Sequence, residues 1–382
     1  MRSGMHVAMV VQRFRPAIGG AERQIERLAP LLAERGIAVT VVTRRLRNTP
    51  ARERLDGLDV IRVPVPRAQR GASLVYTLGG VGALVRVRPD VIHVHGLLSP
   101  ATVGLLGSAL LRRPAIAKVL ASGPRGSLDR LLAKPMGRLR LRQIGRRFHA
   151  VVTLAEESDR ELLAHGLPRR LLVRIPNAID ETVFRPARPG ERESLRNRLG
   201  LPSGALALYC GRLEPPKRVD RLVEAFGTAG VGHLLIVGGG SEQERIRRLA
   251  DDPRLEGRIS LRPPVDDTAP LCRAADVYLS ASVREGMSGS ALEAMASGIC
   301  VGAVPAGGMA ELLDGGAGTI LPGDGTEQLA TAIRELMLDP LRRERQGARA
   351  RARVESRYSR ERVADELIEL YRLVASANGG RA

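Results

Sequence analysis

Short apolar runs alternate with helical patterns along most of the chain. The run at 7–11 ends in a loop, and apolar residues between Ile25 and Leu32 then recur at helical spacing. Gly36 ends this helical pattern, and residues 39–42 form the next apolar run. Because strands that alternate with amphipathic helices are typical of doubly wound parallel sheets, the pattern predicts an α/β fold.

The alternation occurs in two series, which predicts two Rossmann-like domains. Strands are expected in the first series at 7–11, 39–42, 58–63, 91–94, 116–120 and 151–154. Strands are expected in the second series at 205–210, 234–237, 259–261, 277–279, 300–304 and 319–321. The segment 185–190, rich in proline and glycine, has the composition of a linker. The predicted domains are therefore residues 1–186 and 187–360, followed by a C-terminal helix at 361–382.

The length and composition agree with a cytoplasmic protein of two domains. The chain has 382 residues, of which 44% are apolar and 26% are charged, as in ordinary globular domains. Its three cysteines form no CxxC pair, which favours a reducing compartment. The first eleven residues lack a cleavage pattern, and the apolar stretch 97–111 is shorter than the roughly 20 residues that a membrane span needs.

The basic residues are concentrated in the first half of the chain. Residues 1–186 carry 32 basic and 14 acidic side chains, whereas residues 187–382 carry 28 and 27, so nearly all of the net charge of +19 belongs to the first half. This asymmetry favours an anionic partner, although an arginine-rich composition alone also produces it. Nucleic acid is an unsuitable partner, because aromatic residues amount to 2% and leave few surfaces on which bases can stack.

A basic amphipathic segment at 127–148 is a candidate contact for an anionic partner. Arg138, Arg142 and Arg146 recur every fourth residue, with apolar residues between them. Helices of this kind bind membrane surfaces. Pro135 interrupts the pattern, so the regular helix is expected to begin near Arg138. The segment predicts either peripheral contact with the inner face of an anionic membrane or a core-packed helix with a solvated basic face.

Two carboxylates, Glu285 and Glu293, flank a segment of small residues. The residues at 286–290 precede a helical run at 291–296, so the free N–H groups of this helix start face the loop. A carboxylate accepts strong hydrogen bonds from hydroxyl groups, which suits it to hold a sugar. The segment therefore predicts a sugar or phosphate site, although a surface helix with two solvated glutamates would show the same spacing.

Further motifs accompany this segment in a fixed order. They are Ile175-Pro-Asn-Ala-Ile-Asp180, Tyr209-Cys-Gly-Arg-Leu213 with Lys217, Ile236-Val-Gly-Gly-Gly240, Ala275-Asp-Val-Tyr-Leu-Ser280 and Gly307-Gly-Met-Ala-Glu311. The ordered set resembles glycosyltransferase family 4, retaining enzymes of the GT-B fold, from about His6 to about Ile333. The resemblance implies two Rossmann-like domains with a cleft between them, the first for an acceptor and the second for a nucleotide sugar. It also implies that the C-terminal helix packs back on the first domain.

The resemblance assigns roles in the second domain. Arg212 and Lys217 would hold the diphosphate of the donor as it leaves, with neither a metal nor another cofactor. Glu285 would contact hydroxyl groups of the donor sugar, and Glu293 would contact the ribose. Further donor contacts are expected from Gly19, Gly20, Gly211, Gly238, Met287, Ser288, Gly289 and Ser290. The implied reaction transfers a hexose from a nucleotide-diphosphate sugar, with UDP slightly favoured over GDP, to an acceptor hydroxyl.

The acceptor side departs from the family pattern. Many members carry a histidine after the strand at 116–120, where this chain has Ala121, Ser122 and Gly123. A serine hydroxyl does not titrate near neutral pH, so a histidine-dependent role is in doubt. Met287 also stands where an aromatic residue is usual. A non-catalytic binding subunit and a sugar-nucleotide epimerase of the same fold therefore remain alternatives.

His93 and His95 alternate along a predicted strand, so their imidazoles share one face. The spacing would suit a pair of metal ligands, but no third ligand is evident in the sequence. We instead expect His95 to line the acceptor side, together with Ser122 and Gly123. The acceptor is left open between a lipid-linked sugar, a polysaccharide precursor and a small molecule.

Overall fold

The computed structural model describes residues 4–17, 19–66, 69–123 and 126–379. The chain forms two compact units. Unit 1 comprises the residues up to Ala178 together with those from Arg360 onward, and unit 2 comprises Ile179–Ser359. The chain therefore leaves unit 1, builds unit 2 and then returns to unit 1.

Strands and helices alternate in both units, as the sequence pattern predicts. The strands are β1 (Met5–Val10), β2 (Ile37–Arg44), β3 (Arg52–Leu55), β4 (Leu58–Val63), β5 (Val91–His95), β6 (Ala115–Lys118), β7 (Ala150–Thr153), β8 (Leu172–Arg174), β9 (Leu206–Cys210), β10 (His233–Val237), β11 (Ile259–Arg262), β12 (Val277–Ser280), β13 (Cys300–Ala303) and β14 (Thr319–Ile320). The α-helices are α1 (Gly20–Glu34), α2 (Gln69–Val87), α3 (Ser99–Leu111), α4 (Ser127–Leu132), α5 (Gly137–Arg147), α6 (Glu156–Ala164), α7 (Glu191–Leu199), α8 (Val219–Ala229), α9 (Gln243–Ala250), α10 (Ala269–Ala274), α11 (Gly289–Ala296), α12 (Met309–Leu313), α13 (Thr326–Leu338), α14 (Pro340–Arg357) and α15 (Arg360–Gly379). Short 3-10 helices lie at Arg169–Leu171, Pro215–Lys217, Pro253–Leu255 and Asp314–Gly316.

The sheet of unit 1 has the order β3-β4-β2-β1-β5-β6-β7-β8. All neighbouring strands are parallel except the edge pair of β3 and β4. Its two faces are buried separately: residues of α1 and α15 cover one face, and residues of α2, α3 and α5 cover the other. The strand order reverses between β1 and β5, and ligands of open α/β sheets bind beyond the carboxyl ends of strands at such a switch point.

The sheet of unit 2 has the order β11-β10-β9-β12-β13-β14, and its neighbouring strands are parallel. Its apolar core includes Leu222 and Phe226 of α8 and Ile333 of α13, which pack on strands β9 and β10. The order reverses between β9 and β12, so the loops that follow these two strands form the expected ligand edge. The predicted doubly wound architecture is confirmed in both units.

The units divide earlier than predicted, at Ala178 instead of residue 186. The segment 185–190 is a loop before α7, as its composition indicates, but it lies within unit 2. The guanidinium of Arg351 donates hydrogen bonds to the carbonyl groups of Glu181 and Phe184, which fastens the preceding residues to unit 2. The proline and glycine residues therefore indicate the loop before α7, whereas packing determines where the two units divide.

In unit 1 the sequence pattern missed two short strands and placed one helix start correctly. Strands β3 and β8 were not among the predicted strands, because β3 is a charged segment and β8 has only three residues. The segment at 127–148 forms two helices, α4 and α5, and α5 begins at Gly137, close to the start near Arg138 that the pattern predicts. Met136 precedes α5 with a φ angle of 61°, a left-handed conformation that an α-helix does not continue through.

Candidate active site

The loops after β9 and β12 are joined at the switch point of unit 2. The carbonyl oxygen of Pro216 accepts hydrogen bonds from the backbone N–H of Val283, at 3.0 Å, and from Oγ of Ser282, at 3.2 Å. These bonds hold the loop after β9 against the loop after β12. As a result, Nζ of Lys217 lies 2.5 Å from Oε1 of Glu285.

The Lys217–Glu285 pair is partly buried. The side chain of Lys217 is 22% exposed and that of Glu285 is 11% exposed, so both groups are reachable but sheltered. Charge-assisted hydrogen bonds of this kind are the strong ones in proteins. The pair places a cation and a carboxylate side by side at the ends of two parallel strands, where a phosphate and a hydroxyl group could each find a partner.

Arg212 lies on the same loop as Lys217 and is held through its backbone. Oη of Tyr209 donates a hydrogen bond to the carbonyl oxygen of Arg212, at 3.0 Å, and the N–H of Gly211 donates to Val237, also at 3.0 Å. The Arg212 side chain is exposed and has no ion-pair partner among the residues that the structure describes. Its guanidinium is therefore available to an external anion.

Gly238, a predicted site residue, and Gly307 allow close packing of loops in unit 2, whereas a Cβ at the predicted Gly289 would meet no atom within 4 Å. A Cβ at Gly238 would collide with the carbonyl group of Gly211, so the loops after β9 and β10 can approach only without that side chain. Gly307, with a φ angle of 59°, lies equally close to the carbonyl group of Glu285. These glycines position the site through the backbone, whatever they contact in a ligand.

Helix α11 begins at Gly289, directly after the segment 285–288 that contains Glu285. Oγ of Ser288 caps the helix by accepting a hydrogen bond from the N–H of Ala291, at 3.3 Å. The first N–H groups of a helix have no acceptor within the helix, and the helix dipole favours an anion near them. The predicted helix start, with Gly289 and Ser290 in its first turn, is thus present beside the Lys217–Glu285 pair.

Glu293 lies in a different environment from Glu285. Its side chain is 1% exposed, and one carboxylate oxygen accepts a hydrogen bond from Oγ1 of Thr268, at 2.9 Å. The neighbouring Cys272 thiol has its pKa raised well above the usual value, first by burial and then by the charge of Glu293. The predicted contact between Glu293 and a ribose therefore involves a carboxylate that is enclosed in this structure.

The glycines at the start of α1 differ from each other. Gly19 precedes α1 in an extended conformation, and a Cβ there would meet the carboxylate of Glu22. A Cβ at Gly20 would meet no atom within 4 Å. A side chain at Gly19 would require the Glu22 carboxylate to move, whereas the surroundings of Gly20 leave room for a side chain. The preceding residue, Ile18, lies outside the described residues.

The turn after β6 is held together by its own polar groups. Ser122 is fully buried, and its hydroxyl shares a hydrogen bond of 2.8 Å with that of Ser158. Gly123 has a φ angle of 78°, and its N–H donates to a carboxylate oxygen of Glu161. The Ser122 hydroxyl therefore supports the turn, and its predicted acceptor contact would first require the bond to Ser158 to open. The next two residues of the motif, 124 and 125, lie outside the described residues.

His95 belongs to a buried basic cluster at the carboxyl ends of β5 and β6. The rings of His93 and His95 stack with centroids 4.5 Å apart, and Nδ1 of His93 is 2.7 Å from Oη of Tyr371 on α15. Lys118, which is adjacent to His95 in the sheet register, is buried as well. Burial, and then the charge of Lys118, lowers the pKa of His93 to about 3. The pKa of His95 is well below its usual value for the same reasons, with a further contribution from His93.

Both units of the chain are similar to known protein families. Residues 204–339 match the family described as "Glycosyl transferases group 1", and residues 19–178 match the "Glycosyl transferase 4-like domain". A D-inositol 3-phosphate glycosyltransferase of Kineococcus radiotolerans is 31% identical to this chain, over 96% of it and 93% of that protein. This chain belongs to the group 1 glycosyltransferases.

Two further proteins are similar to this glycosyltransferase over nearly their whole length. A GDP-mannose-dependent monoacylated alpha-(1-6)-phosphatidylinositol monomannoside mannosyltransferase of Corynebacterium glutamicum is 26% identical, over 97% of this chain and 98% of that protein. The Anabaena protein HepE, solved in complex with UDP-glucose, has a TM-score of 0.80 at 20% identity, over 96% of this chain and 99% of that one. The expected GT-B fold is confirmed.

Three further observations on the glycosyltransferase concern clusters of potential metal ligands, membrane-spanning helices and cavities. Among the described residues, no group of three or more His, Cys, Asp or Glu side chains is arranged to hold a metal ion. None of the described helices combines the length and the hydropathy that crossing a membrane requires. A cavity of about 280 Å³ in unit 2 is lined by other residues, including Glu214, Arg218 and Asp220, so it is distinct from the Lys217–Glu285 pair.

The sequence motifs did not identify Lys118, which lies beside His95 in the buried basic cluster. Its signal was compositional: Lys118, Lys134 and Lys217 are the three lysines among 60 basic residues, and arginine fills the other positions. Lysine is a compact point charge, and its pKa shifts readily when it is buried. A chain that uses arginine almost throughout therefore marks its lysines as candidates for a specific role.

Proposed function

We propose that this glycosyltransferase moves a hexose-type sugar from a nucleotide-diphosphate sugar to an acceptor hydroxyl, with retention of configuration and without a metal ion. The observation that carries the proposal is the Lys217–Glu285 pair beside the start of α11, at the switch point of unit 2. A cation, a carboxylate and free helix N–H groups are the groups that a sugar diphosphate needs.

The ion pair suggests an exchange of partners when the donor binds. Lys217 would turn from Glu285 to a diphosphate oxygen, and the freed carboxylate would accept hydrogen bonds from sugar hydroxyls. The exposed guanidinium of Arg212 would supply a second cation with two parallel donors. Because negative charge on the diphosphate grows as the glycosidic bond breaks, both cations would stabilise the transition state more than the bound donor.

Retention is proposed from the family resemblance. Attack by the acceptor hydroxyl on the face from which the diphosphate departs accounts for retention without a covalent intermediate. The two cations and the start of α11 supply positive charge where a metal ion would otherwise act, which supports the proposal of a metal-independent reaction.

The donor base and the acceptor are proposed more broadly. UDP is slightly favoured over GDP; HepE was solved with UDP-glucose, whereas the Corynebacterium relative is named for GDP-mannose. The named acceptors of the two relatives are a phosphatidylinositol monomannoside and D-inositol 3-phosphate. We propose an acceptor that offers a hydroxyl group on a polyol or sugar ring.

The donor can be tested before the acceptor is known. The purified protein would be incubated separately with UDP-glucose, UDP-N-acetylglucosamine and GDP-mannose, with a metal chelator and no acceptor. Phosphorus NMR would follow release of the nucleoside diphosphate, and proton NMR would identify the first anomer of the free sugar. Slow release from one donor with the same anomer formed first supports the proposal, and inversion of the anomer contradicts retention. Thermal-shift measurements with UDP and GDP would detect donor-site binding if release is too slow, and no shift with either would contradict a donor site in unit 2.

We also propose that α5 and the residues before it contact an anionic membrane. Met136 and Leu139 are 69% and 44% exposed, and Arg138, Arg142 and Arg146 are exposed beside them. Apolar side chains surrounded by cations suit the interface of an anionic bilayer, where each basic residue contributes on the order of 1 kcal/mol.

Sedimentation with liposomes tests this contact. The protein should sediment with anionic but not with zwitterionic vesicles at low salt. The double variant Arg138→Gln/Arg142→Gln should sediment less, whereas the control Arg345→Gln/Arg372→Gln, which removes the same charge from exposed positions elsewhere, should behave like the original protein. Equal losses in both variants would reduce the effect to net charge and would remove the case for a membrane face.

A further inference from the structure

Lys118 is buried without a counter-charge. Its side chain is 2% exposed, and within the described residues it forms neither an ion pair nor a hydrogen bond. The other two lysines differ: Lys134 is exposed between α4 and α5, and Lys217 is paired with Glu285. An unpaired buried charge is costly, so folding alone does not explain why Lys118 stands at this position.

The position of Lys118 points to a ligand. Lys118 is the last residue of β6 and is adjacent to His95, the last residue of β5, in parallel register. Their side chains therefore project from the same face at the carboxyl edge of the sheet. Strand β5 also flanks the point where the strand order of unit 1 reverses, which is where open α/β sheets bind ligands.

His95 lies beside Lys118 with unused hydrogen-bonding capacity. Its side chain is enclosed, and neither ring nitrogen has a hydrogen-bond partner among the described residues. His93 is different, because Nδ1 of its ring is fixed by Tyr371. Burial keeps His95 neutral at pH 7, so one ring nitrogen carries a hydrogen and can donate it. The adjacent Lys118 has three N–H donors.

The charge of this cluster determines the kind of ligand. Burial lowers the pKa of Lys118 to about 8, which still leaves the ammonium largely protonated at neutral pH. The titratable side chains that share its face, His93 and His95 on β5 and Tyr371 on α15, are neutral there and provide no negative charge. A cation that has a neighbouring neutral donor and no acidic partner among the described residues is suited to an external oxyanion.

We propose that Lys118 and His95 bind an oxyanion, a phosphate or a carboxylate, carried by the acceptor. This proposal rests on the proposed transferase function, since it assigns a chemical class to the acceptor of that reaction. Lys118 donates charge-assisted hydrogen bonds to the anion, and His95 donates a further one. The acceptor class is thereby narrowed to molecules that carry an anionic group in addition to the hydroxyl that is glycosylated.

The scarcity of lysine allows a direct test. Protein labelled with ¹³C at lysine Cε should give three signals, and the variants Lys118→Met and Lys134→Met would assign them. Inorganic phosphate and acetate would each be titrated into the full chain in the presence of saturating UDP or GDP, so that the diphosphate site is already occupied. We expect the Lys118 signal to move on titration and the Lys134 signal to remain in place.

Calorimetry on the same variants completes the test. Lys118→Met should weaken binding of the preferred anion about tenfold or more, because one charge-assisted contact is lost, whereas Lys134→Met should bind it normally. Tighter binding of phosphate assigns a phosphate-bearing acceptor, and tighter binding of acetate assigns a carboxylate. A Lys118 signal that stays unchanged with both anions overturns the proposal, as does equal binding by the original protein and Lys118→Met.

The nucleotide thermal shift distinguishes failure of the oxyanion site from failure of the donor site. If UDP or GDP stabilises the protein but neither anion reaches Lys118, the oxyanion site is wrong and the transferase proposal stands. If neither nucleotide shifts the melting temperature, the donor site fails first. Anion titration into Lys217→Met, in which the diphosphate site is impaired, then tests Lys118 independently of that site.

Discussion

Lys118 ends strand β6 of unit 1 and Lys217 lies in the loop after strand β9 of unit 2, so both are near the carboxyl ends of parallel strands, yet their surroundings are opposite. Lys217 is partly exposed and held by Glu285 at 2.5 Å. Lys118 is buried and has no acidic partner among the described residues. The paired lysine needs no ligand for stability but must release its partner before it can act. The unpaired lysine has no internal partner to release, and the folded protein carries the cost of its buried charge.

The difference shows that a candidate ligand site can be maintained in two ways. In unit 2 the protein supplies a temporary counter-ion, so a ligand has to compete with Glu285. In unit 1 burial lowers the affinity of Lys118 for its proton, and a ligand would restore it. Substitution of Lys217 should therefore mainly lower turnover, whereas substitution of Lys118 should also change the free energy of unfolding.

The largest expected effect is on turnover when the paired site is altered. Lys217→Met should lower turnover of the correct donor by roughly 10- to 100-fold, since it removes a charge-assisted contact to the leaving diphosphate. Glu285→Ala and Arg212→Ala should each cost more than about tenfold. Steady-state kinetics with the donor identified by NMR would measure these effects. Near-normal turnover in all three variants would mean that the site lies elsewhere.

The second largest effect is on the free energy of unfolding, which substitution of Lys118 should raise and substitution of Lys217 should not. Lys118→Met replaces a buried unpaired charge by an apolar side chain of similar length, and should raise the free energy of unfolding by about 1–3 kcal/mol. Lys217→Met leaves Glu285 without its partner and should not stabilise the protein. Urea denaturation at pH 7 without ligand measures both changes. A destabilised Lys118→Met protein would show that Lys118 has a structural partner.

The smallest expected effect is the pH dependence of the stability gained by Lys118→Met. The pKa of Lys118 is lowered from an ordinary value of 10.5 to about 8, so the unfolded chain binds more protons than the folded one between these values. The contribution of Lys118 to the free energy of unfolding therefore rises with pH. The destabilisation caused by its buried charge is fully present below pH 8. The stability advantage of Lys118→Met should shrink between pH 7 and pH 10. Other titratable groups contribute equally to the original protein and to Lys118→Met, so their contributions cancel when the two are compared. A stability gain that stays constant with pH would contradict titration of Lys118 in this range.

The fold was largely predictable because apolar runs report burial. The central strand β9 lies between two other strands and is a continuous apolar segment, whereas the edge strand β3 has only one neighbour and a charged sequence. The unit boundary could not be read in the same way. It depends on contacts such as those of Arg351, which join residues far apart in the chain.

The candidate site was predictable in composition but not in exposure. The motifs identified Lys217 and Glu285, and their spacing along the chain gives no hint that the two side chains form an ion pair. Motif spacing also cannot show that Glu293 and Ser122 point inward to Thr268 and Ser158. Exposure depends on neighbours from other elements, so the sequence indicated which residue types belong near the ligand edge and not which of them face it.

The return of the chain to unit 1 has a consequence for biosynthesis. Helix α15 supplies Tyr371 to His93 and covers part of one face of the first sheet. A ribosome makes that sheet almost 200 residues before it makes α15, so for most of translation the nascent unit exposes apolar surface that its last helix will cover. The first unit to be synthesised is therefore the last to be completed, and the chain depends on protection of that surface until α15 emerges.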